Sequence, residues 1–327
     1  MISELTGPAS VSVQDLPEPA PAGQVVIEVA AAGVCFPDLL QTRGLYQFAP
    51  PLPFVPGSEV SGIVLAAPAG SGFAAGDAVA AFSVLGGFAE RVAVAPGQVF
   101  ALPEGVALDE AAGLPMNYLT CDFALRVRAG MAAGETVLVH GAAGGIGTAA
   151  IQLARAGGAR VIAVVSSAAK GAIARAAGAD EVIPVTGFME AARELTQGRG
   201  VDIVVDPVGG ERFTDSLRAL APLGRLLVVG FTEGSIPQVK VNRLLLGNLS
   251  VVGVGWGAFW MQRPGFLQQQ WAVLAPLLAT GAIRPVLGAS YGLAEVGAAL
   301  TAIDERTAVG KLIVHPASAP TQAATAN

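Results

Sequence analysis

Charge and metal-binding side chains are what this chain has least of. Asp, Glu, Lys and Arg together make up 13% of its 327 residues, and there are two histidines, His140 and His315, and two cysteines, Cys35 and Cys121. Two thiols cannot build a disulfide framework or a four-thiolate zinc lobe, so each reads as a small buried thiol in a reducing cytosol. With 19 basic against 25 acidic residues the net charge is −6, which argues against a nucleic-acid or anionic-membrane partner. No basic segment followed by an apolar run opens the chain, so no secretory signal is expected and the cytoplasm is the expected location.

Low charge leaves a mean hydropathy of +0.59 and two uncharged windows, Leu244–Gln262 and Thr136–Ala154, close to membrane-spanning length. Both are studded with glycine and break into a short strand plus something else. They read as buried parallel strands, which are apolar on both faces.

What is present is organised. Residues 1–118 hold short strands broken by Gly and Pro, at Val25–Val29, Val60–Leu65, Asp77–Phe82 and Phe88–Val94, which suits a small curved β unit. Phe48–Pro56 carries four prolines in nine residues and must be a stiff loop. From about Thr120 strands and helices alternate, as in a doubly wound parallel sheet. Asp202–Asp206, Arg225–Gly230 and Ser250–Val254 are further strands, Glu211–Leu220 and Phe266–Thr280 helices, and Lys311–His315 a last strand. The tail 317–327 lacks periodicity and is expected to be disordered.

The most informative stretch runs from Glu135 to Lys170. A β-branched strand at Thr136–His140 leads into Ala142-Ala143-Gly144-Gly145-Ile146-Gly147, and Ile146, Ala150, Leu153 and Ala154 then recur at helical spacing. Glycine lets such a turn lie against a pyrophosphate, which the following helix N-terminus attracts. The next strand, Arg160–Val165, ends in Ser166-Ser167 without the carboxylate that would hold a ribose 2′-hydroxyl. Ser166 and Lys170 are assigned to a 2′-phosphate, so NADPH is the expected cofactor, although Lys170 also fits a solvated charge. Arg175 lies five positions beyond Lys170, about 140° round a helix, and reads as solvated.

Several segments together resemble one family. They are Ala31-Ala32-Gly33-Val34, Gly44-Leu45-Tyr46, Pro56 to Gly62 (PGSEVSG), Gly76-Asp77-Ala78-Val79, Leu114 to Thr120 (LPMNYLT), the glycine turn and Ala308-Val309-Gly310-Lys311. The chain resembles the medium-chain dehydrogenase/reductase superfamily, in its zinc-free NADPH:quinone oxidoreductase (zeta-crystallin-like) branch, over about residues 10 to 315. The resemblance implies an α/β protein with a GroES-like β-rich catalytic domain at 1–118, a Rossmann domain at 119–258 and a return to the catalytic domain at 259–316. It implies an active-site cleft between the two and usually a homodimer joined through the Rossmann sheets.

Zinc-dependent relatives place ligands where this chain has Cys35, Ser58 and, near the third, Met116. One thiolate is too few for a catalytic zinc, and no metal is expected. The resemblance places Tyr46 in the substrate cleft, as proton donor or packing aromatic, and Asn117 and Thr120 by the nicotinamide, where either could instead cap a helix through Asp122–Arg128. It places Gly230, Phe231 and Lys311 at the coenzyme, beside Ala142, Gly144, Gly145, Ile146 and Gly147. Gly255 and Trp256 are expected to close over the nicotinamide, or Trp256 to be dimer core. Several quinone reductases have Asn at the Cys35 position and a second Tyr near Leu40, so this pocket is less polar. The expected activity is reduction of quinones or other α,β-unsaturated carbonyls; the alternatives are enoyl-thioester reduction and a non-enzymatic NADPH-binding or RNA-binding role.

Overall fold

The computed structural model describes residues 1–316; the tail at 317–327, expected to be disordered, lies outside the described residues. The chain divides into two compact units, Met1–Met116 with the chain from Leu287 onward, and Asn117–Val286.

In the first unit the strands are β1 (Val25–Gly33), β2 (Glu59–Ala66), β3 (Ala78–Phe82), β4 (Arg91–Val94) and β5 (Val99–Ala101). Between β1 and β2 lies a short helix, α1 (Phe36–Gln41), and after β5 come α2 (Leu108–Ala111) and the start of α3 (Pro115–Asp122). No helix or strand forms from Phe48 to Pro56, as its prolines require.

The second unit opens with the rest of α3. It continues through β6 (Thr136–Val139), α4 (Gly145–Ala156), β7 (Arg160–Val165), α5 (Ala168–Ala176), β8 (Glu181–Pro184), α6 (Phe188–Leu195), β9 (Val201–Asp206), α7 (Phe213–Ala219) and β10 (Leu220–Val228). It ends with α8 (Asn242–Gly247), β11 (Ser250–Gly253), α9 (Trp256–Trp260) and α10 (Phe266–Ala279). The chain then returns to the first unit as β12 (Leu287–Gly292), α11 (Val296–Asp304) and β13 (Lys311–His315).

The first unit's sheet has seven strands in the order β12-β13-β1-β2-β3-β5, with β4 on β1. Alternate residues of β1, among them Val25, Ile27 and Val29, sink into a core with Val60, Val64, Val79 and Val314. The β1–β2 register slips between Val26 and Ile27 and between Val29 and Ala31, which bends the pair. Gly62 sits in this bend under the Glu28 carbonyl, where no side chain fits.

The second unit is a six-stranded parallel sheet ordered β11-β10-β9-β6-β7-β8. Chain order reverses between β6 and β9, so a crevice opens at their C-terminal ends, where such sheets bind ligands. Both uncharged windows contain a strand followed by a helix, and no described helix is long and apolar enough to cross a membrane. Strand β6 is buried throughout, as expected, whereas β11 is only half-buried because it ends the sheet and has a neighbour on one side alone.

The boundary expected at residue 258 falls instead at Val286. Helices α9 and α10 belong to the second unit because Gln270 on α10 donates to Leu119 O (2.8 Å) and Asp122 Oδ2 (2.7 Å), and accepts from Trp256 Nε1 (2.9 Å). Leu119 and Asp122 are far from Gln270 in sequence, which is why periodicity alone did not show the link.

The Gly62 contact is testable. Gly62→Ala forces a methyl against the Glu28 carbonyl and should cost about 1–3 kcal/mol. Gly97→Ala, with open space around it, should change stability by less than about 0.5 kcal/mol. Urea midpoints for the two variants check this, and equal midpoints would contradict it.

Candidate functional site

The glycine turn follows β6 at the switch point. A Cβ on Gly147 would strike the Gly141 carbonyl and the Ala142 backbone, so only glycine permits the approach. At Gly145 a Cβ would run into the Asn117 side-chain amide. Helix α4 starts from Gly144 with no side-chain cap and no acidic residue in its first turn. Its leading N–H groups and positive dipole end are therefore available to an anion. Across the crevice, Asp206 ends β9 and its Oδ1 accepts from the amides of Val208 and Gly209, both at 2.9 Å. Burial raises the Asp206 pKa, with those two bonds opposing it. Asp206 was not singled out from sequence; its role depends on the turn it organises.

After β10, Gly230 and Phe231 lie beside this turn: Thr232 N donates to Pro207 O (3.2 Å), and the Phe231 ring limits the space above Gly209. His140 is structural. Its Nε2 pairs with Ser216 Oγ at 2.8 Å, and burial, aided by Arg212, lowers its pKa to about 3.

At the end of β7 the Ser167 hydroxyl caps α5 by accepting from the Lys170 amide (3.3 Å), while Ser166 is exposed. A cavity of about 460 Å³ opens here between α5 and β8, lined by Ser166, Ser167, Gly171, Arg175 and Pro184 among others, with no carboxylate in its wall. Arg175 lines it and Lys170 does not. Arg175 is exposed, as expected, and it also forms part of the cavity wall. The 140° separation is sound, but Ala168, Gly171, Ala172 and Arg175 share the helix face turned to the cavity.

Asn117 and Thr120, expected at the nicotinamide or as caps, are 6% and 8% exposed and lie inside α3, which begins at Pro115. Neither caps a helix through Asp122–Arg128, since α3 already covers them. Gly255 precedes α9, and Trp256, 4% exposed, commits its indole N–H to Gln270.

In the first unit the structure gathers buried polar groups that sequence reading had treated separately. Cys35 opens α1, Ser58 and Glu59 lie at the start of β2, and Lys311 starts β13. Lys311, expected at the coenzyme, is instead 3% exposed, its Nζ donating to Cys35 Sγ at 3.0 Å and ion-paired with Glu59 Oε1. The Cys35 thiol also faces Glu59 Oε1 (3.2 Å), and Glu59 Oε2 accepts from the Met116 amide (2.6 Å). Gly33 leaves room for the pair: a Cβ there would press on Glu59 Oε1 and Lys311 Cε.

Asp38 completes the group. Its Oδ2 accepts from the Cys35 amide (2.8 Å) and its Oδ1 from the Ser58 hydroxyl (3.1 Å). Burial pushes its pKa up to about 7, with Glu59 adding to the rise and the Cys35 amide, Lys311 and Ser58 opposing it. Burial and then Glu59 raise the Cys35 thiol. Burial also works against the Lys311 ammonium, but Cys35 and Glu59 beside it hold its pKa above the usual value. Tyr46, half-buried after the turn that ends α1, has its phenol raised by burial, then by Cys35 and Asp38.

These residues do not fit a zinc ion. A neutral thiol already facing an ammonium, a serine hydroxyl and the Met116 thioether form no set of three good donors. Among the described residues no three His, Cys, Asp or Glu side chains are grouped so as to hold a metal.

Comparison with known proteins gives the lineage. Residues 145–279 match the family profile described as zinc-binding dehydrogenase, and residues 21–104 the alcohol dehydrogenase GroES-like domain. The rat quinone oxidoreductase-like protein 2 is 36% identical over 316 residues, covering 95% of this chain and 90% of the relative. A solved probable oxidoreductase from Mycobacterium abscessus is 46% identical, with a TM-score of 0.88 over 96% of this chain and 97% of its own. The quinone oxidoreductase from Thermus thermophilus, solved also as its complex with NADPH, is 37% identical, with a TM-score of 0.83 over 96% and 98%.

The buried Asp38 makes stability depend on pH. A carboxyl whose pKa rises on folding, from 3.8 to about 7, stabilises fully below 3.8 and loses that contribution as pH climbs through 7. The urea midpoint should therefore fall between those values, and Asp38→Asn should flatten that fall. A variant retaining the full slope would show that another group carries it.

The glycine turn, the two sheets and the matches over nearly the whole length agree: the chain belongs to the medium-chain dehydrogenase/reductase superfamily, in its quinone oxidoreductase-like branch.

Proposed function

We propose that the protein is an NADPH-dependent oxidoreductase that reduces quinones or other α,β-unsaturated carbonyls without a metal. The observation that carries this reading is the uncapped α4 N-terminus behind a glycine turn, followed on β7 by a carboxylate-free cavity with two serines and an arginine. The NADPH complex of the Thermus thermophilus relative and the name of the rat relative support it.

In this reading Ala142, Gly144, Gly145, Ile146 and Gly147 take the pyrophosphate, with Gly230 and Phe231 flanking it. Ser166 and Lys170 receive the 2′-phosphate, and Arg175 adds a guanidinium from the cavity wall. When bound, the coenzyme supplies a hydride to the acceptor. The Tyr46 hydroxyl donates a hydrogen bond or a proton to the oxygen on which negative charge develops. A phenol is protonated at neutral pH at its ordinary pKa of about 10, and burial moves Tyr46 further in that direction. An acceptor that is already electrophilic needs no Lewis acid, which suits a site built on Lys311, Cys35 and Glu59.

We also read the protein as a cytoplasmic homodimer. Strand β11 ends the parallel sheet and leaves its outer edge open to a second copy.

NADPH oxidation followed by absorbance against a panel of quinones, enones and an enoyl-thioester, with and without a chelator, tests the activity. Turnover on quinones or enones that survives chelation is expected; no turnover on any acceptor would overturn the reading. In fluorescence titrations, Lys170→Ala and Arg175→Ala should each weaken NADPH far more than NADH, and equal losses would remove the 2′-phosphate assignment. Tyr46→Phe should lower turnover on a weakly activated enone by roughly 10²-fold, the scale of general acid catalysis. An unchanged rate leaves Tyr46 as a wall of the site.

A further inference from the structure

The parallel sheet of the second unit has two ends. The glycine turn lies at the C-terminal ends of the strands; the other end carries a second cavity, of about 640 Å³. Its wall comes from the segments leading into β9 and β11, the start of β10, and α6, α7 and α8. Four arginines line it, Arg193, Arg199, Arg218 and Arg243, and no carboxylate does. Between them the surface is apolar: Pro222 and Leu246 are exposed and Leu249 half-buried, over the buried Leu217 and Leu220.

The arginines are not equivalent. Arg199 forms two bonds to Asp202, at 2.7 and 2.8 Å, and Arg218 pairs with Asp215 at 2.8 Å. Their charges are offset nearby. Arg193 donates to two carbonyls, Arg218 O (3.1 Å) and Gly198 O (2.6 Å), which orient the guanidinium without neutralising it. Arg243 is half-buried on α8 and has no side-chain partner among the described residues. Two positive charges thus remain without a counter-charge at one cavity, in a chain whose net charge is −6. Leu246 beside them is 80% exposed, an apolar side chain left in water.

Two uncompensated guanidinium groups match a dianion, and a phosphate monoester presents one with oxygens spaced for arginine forks. A leucine-rich wall calls for hydrocarbon on the same molecule. We propose that this cavity binds an amphiphilic phosphate monoester, its phosphate held by Arg193 and Arg243 and its hydrocarbon chain laid on Pro222, Leu246 and Leu249. The ligand can be a free alkyl phosphate or the phosphomonoester headgroup of a lipid; the recognition chemistry is the same. The site is distinct from the glycine turn and does not depend on the proposed reductase activity.

The test is calorimetric titration of the full chain with dodecyl phosphate below its micelle concentration, with NADPH present so that phosphate sites at the coenzyme turn are occupied. Methyl phosphate and dodecyltrimethylammonium are the comparison ligands. Saturable one-to-one binding of dodecyl phosphate is expected, weaker binding of methyl phosphate and none of the cation. Arg243→Ala, which breaks no side-chain hydrogen bond or ion pair among the described residues, should weaken dodecyl phosphate about ten-fold or more, the scale of one charge-assisted hydrogen bond. Leu246→Asp should weaken dodecyl phosphate but scarcely alter methyl phosphate, while Arg175→Ala, with NADPH raised until its weakened coenzyme site is saturated, should leave both unchanged.

Sedimentation with phosphatidic acid vesicles separates the two sources. Vesicle binding abolished by Arg243→Ala assigns a lipid headgroup, and no vesicle binding assigns the free ester. Absence of dodecyl phosphate binding, equal affinity in the Arg243 variant, or loss only in the Arg175 variant would overturn the proposal. Vesicle binding indifferent to Arg243 would do so as well.

Discussion

The buried ion pair between Lys311 and Glu59 is the constraint on which the first unit is arranged. It joins β13, from the far end of the chain, to β2, and its reach includes the α1 N-terminus through Cys35 and the α3 N-terminus through the Met116 amide. Burying two charges costs several kcal/mol each, and the cost is met only where further hydrogen bonds complete the geometry. Those bonds dictate the neighbours. Gly33 must lack a side chain to admit the pair, and next to it lies the titratable Asp38, bonded by the Ser58 hydroxyl. A cation, the Lys311 ammonium, is thus built in beside the Cys35 thiol.

In the second unit the organising fact is direction. Six parallel strands put all their C-terminal ends along one edge and all their N-terminal ends along the other. Helix N-termini and glycine turns collect on the first edge and make it suited to phosphates. Helix C-termini collect on the second, and arginines gather there to meet the exposed carbonyls, as Arg193 does for Arg218. A sheet of one direction therefore concentrates positive potential at both edges by different means, dipoles at one and guanidinium groups at the other.

Much of this was legible in the sequence. Short-range signals carried it: proline spacing for the stiff loop, Gly and Pro breaks and a β-branched run for the strands, the run Gly144 to Gly147 for the turn, and the missing carboxylate after Val165. Each depends on residues within a few positions of one another, so local sterics and period are enough. Short elements without strong period were less legible. Helix α1 forms around the Cys35–Asp38 cap, and β12 is a half-exposed edge strand held mainly by β13.

The sequence by itself determined the lineage, the two-unit α/β organisation and the phosphate-binding turn, because each is written in contiguous residues. Tertiary structure alone decided which way side chains face. It turned Arg175 into the cavity and left Lys170 outside its wall, because one helix face packs toward β8. It enclosed Lys311 with Cys35 and Glu59, placed Asn117 and Thr120 within α3, and gave Trp256 to Gln270. Those outcomes depend on partners distant in sequence, and no local pattern records a contact that forms only when the chain returns.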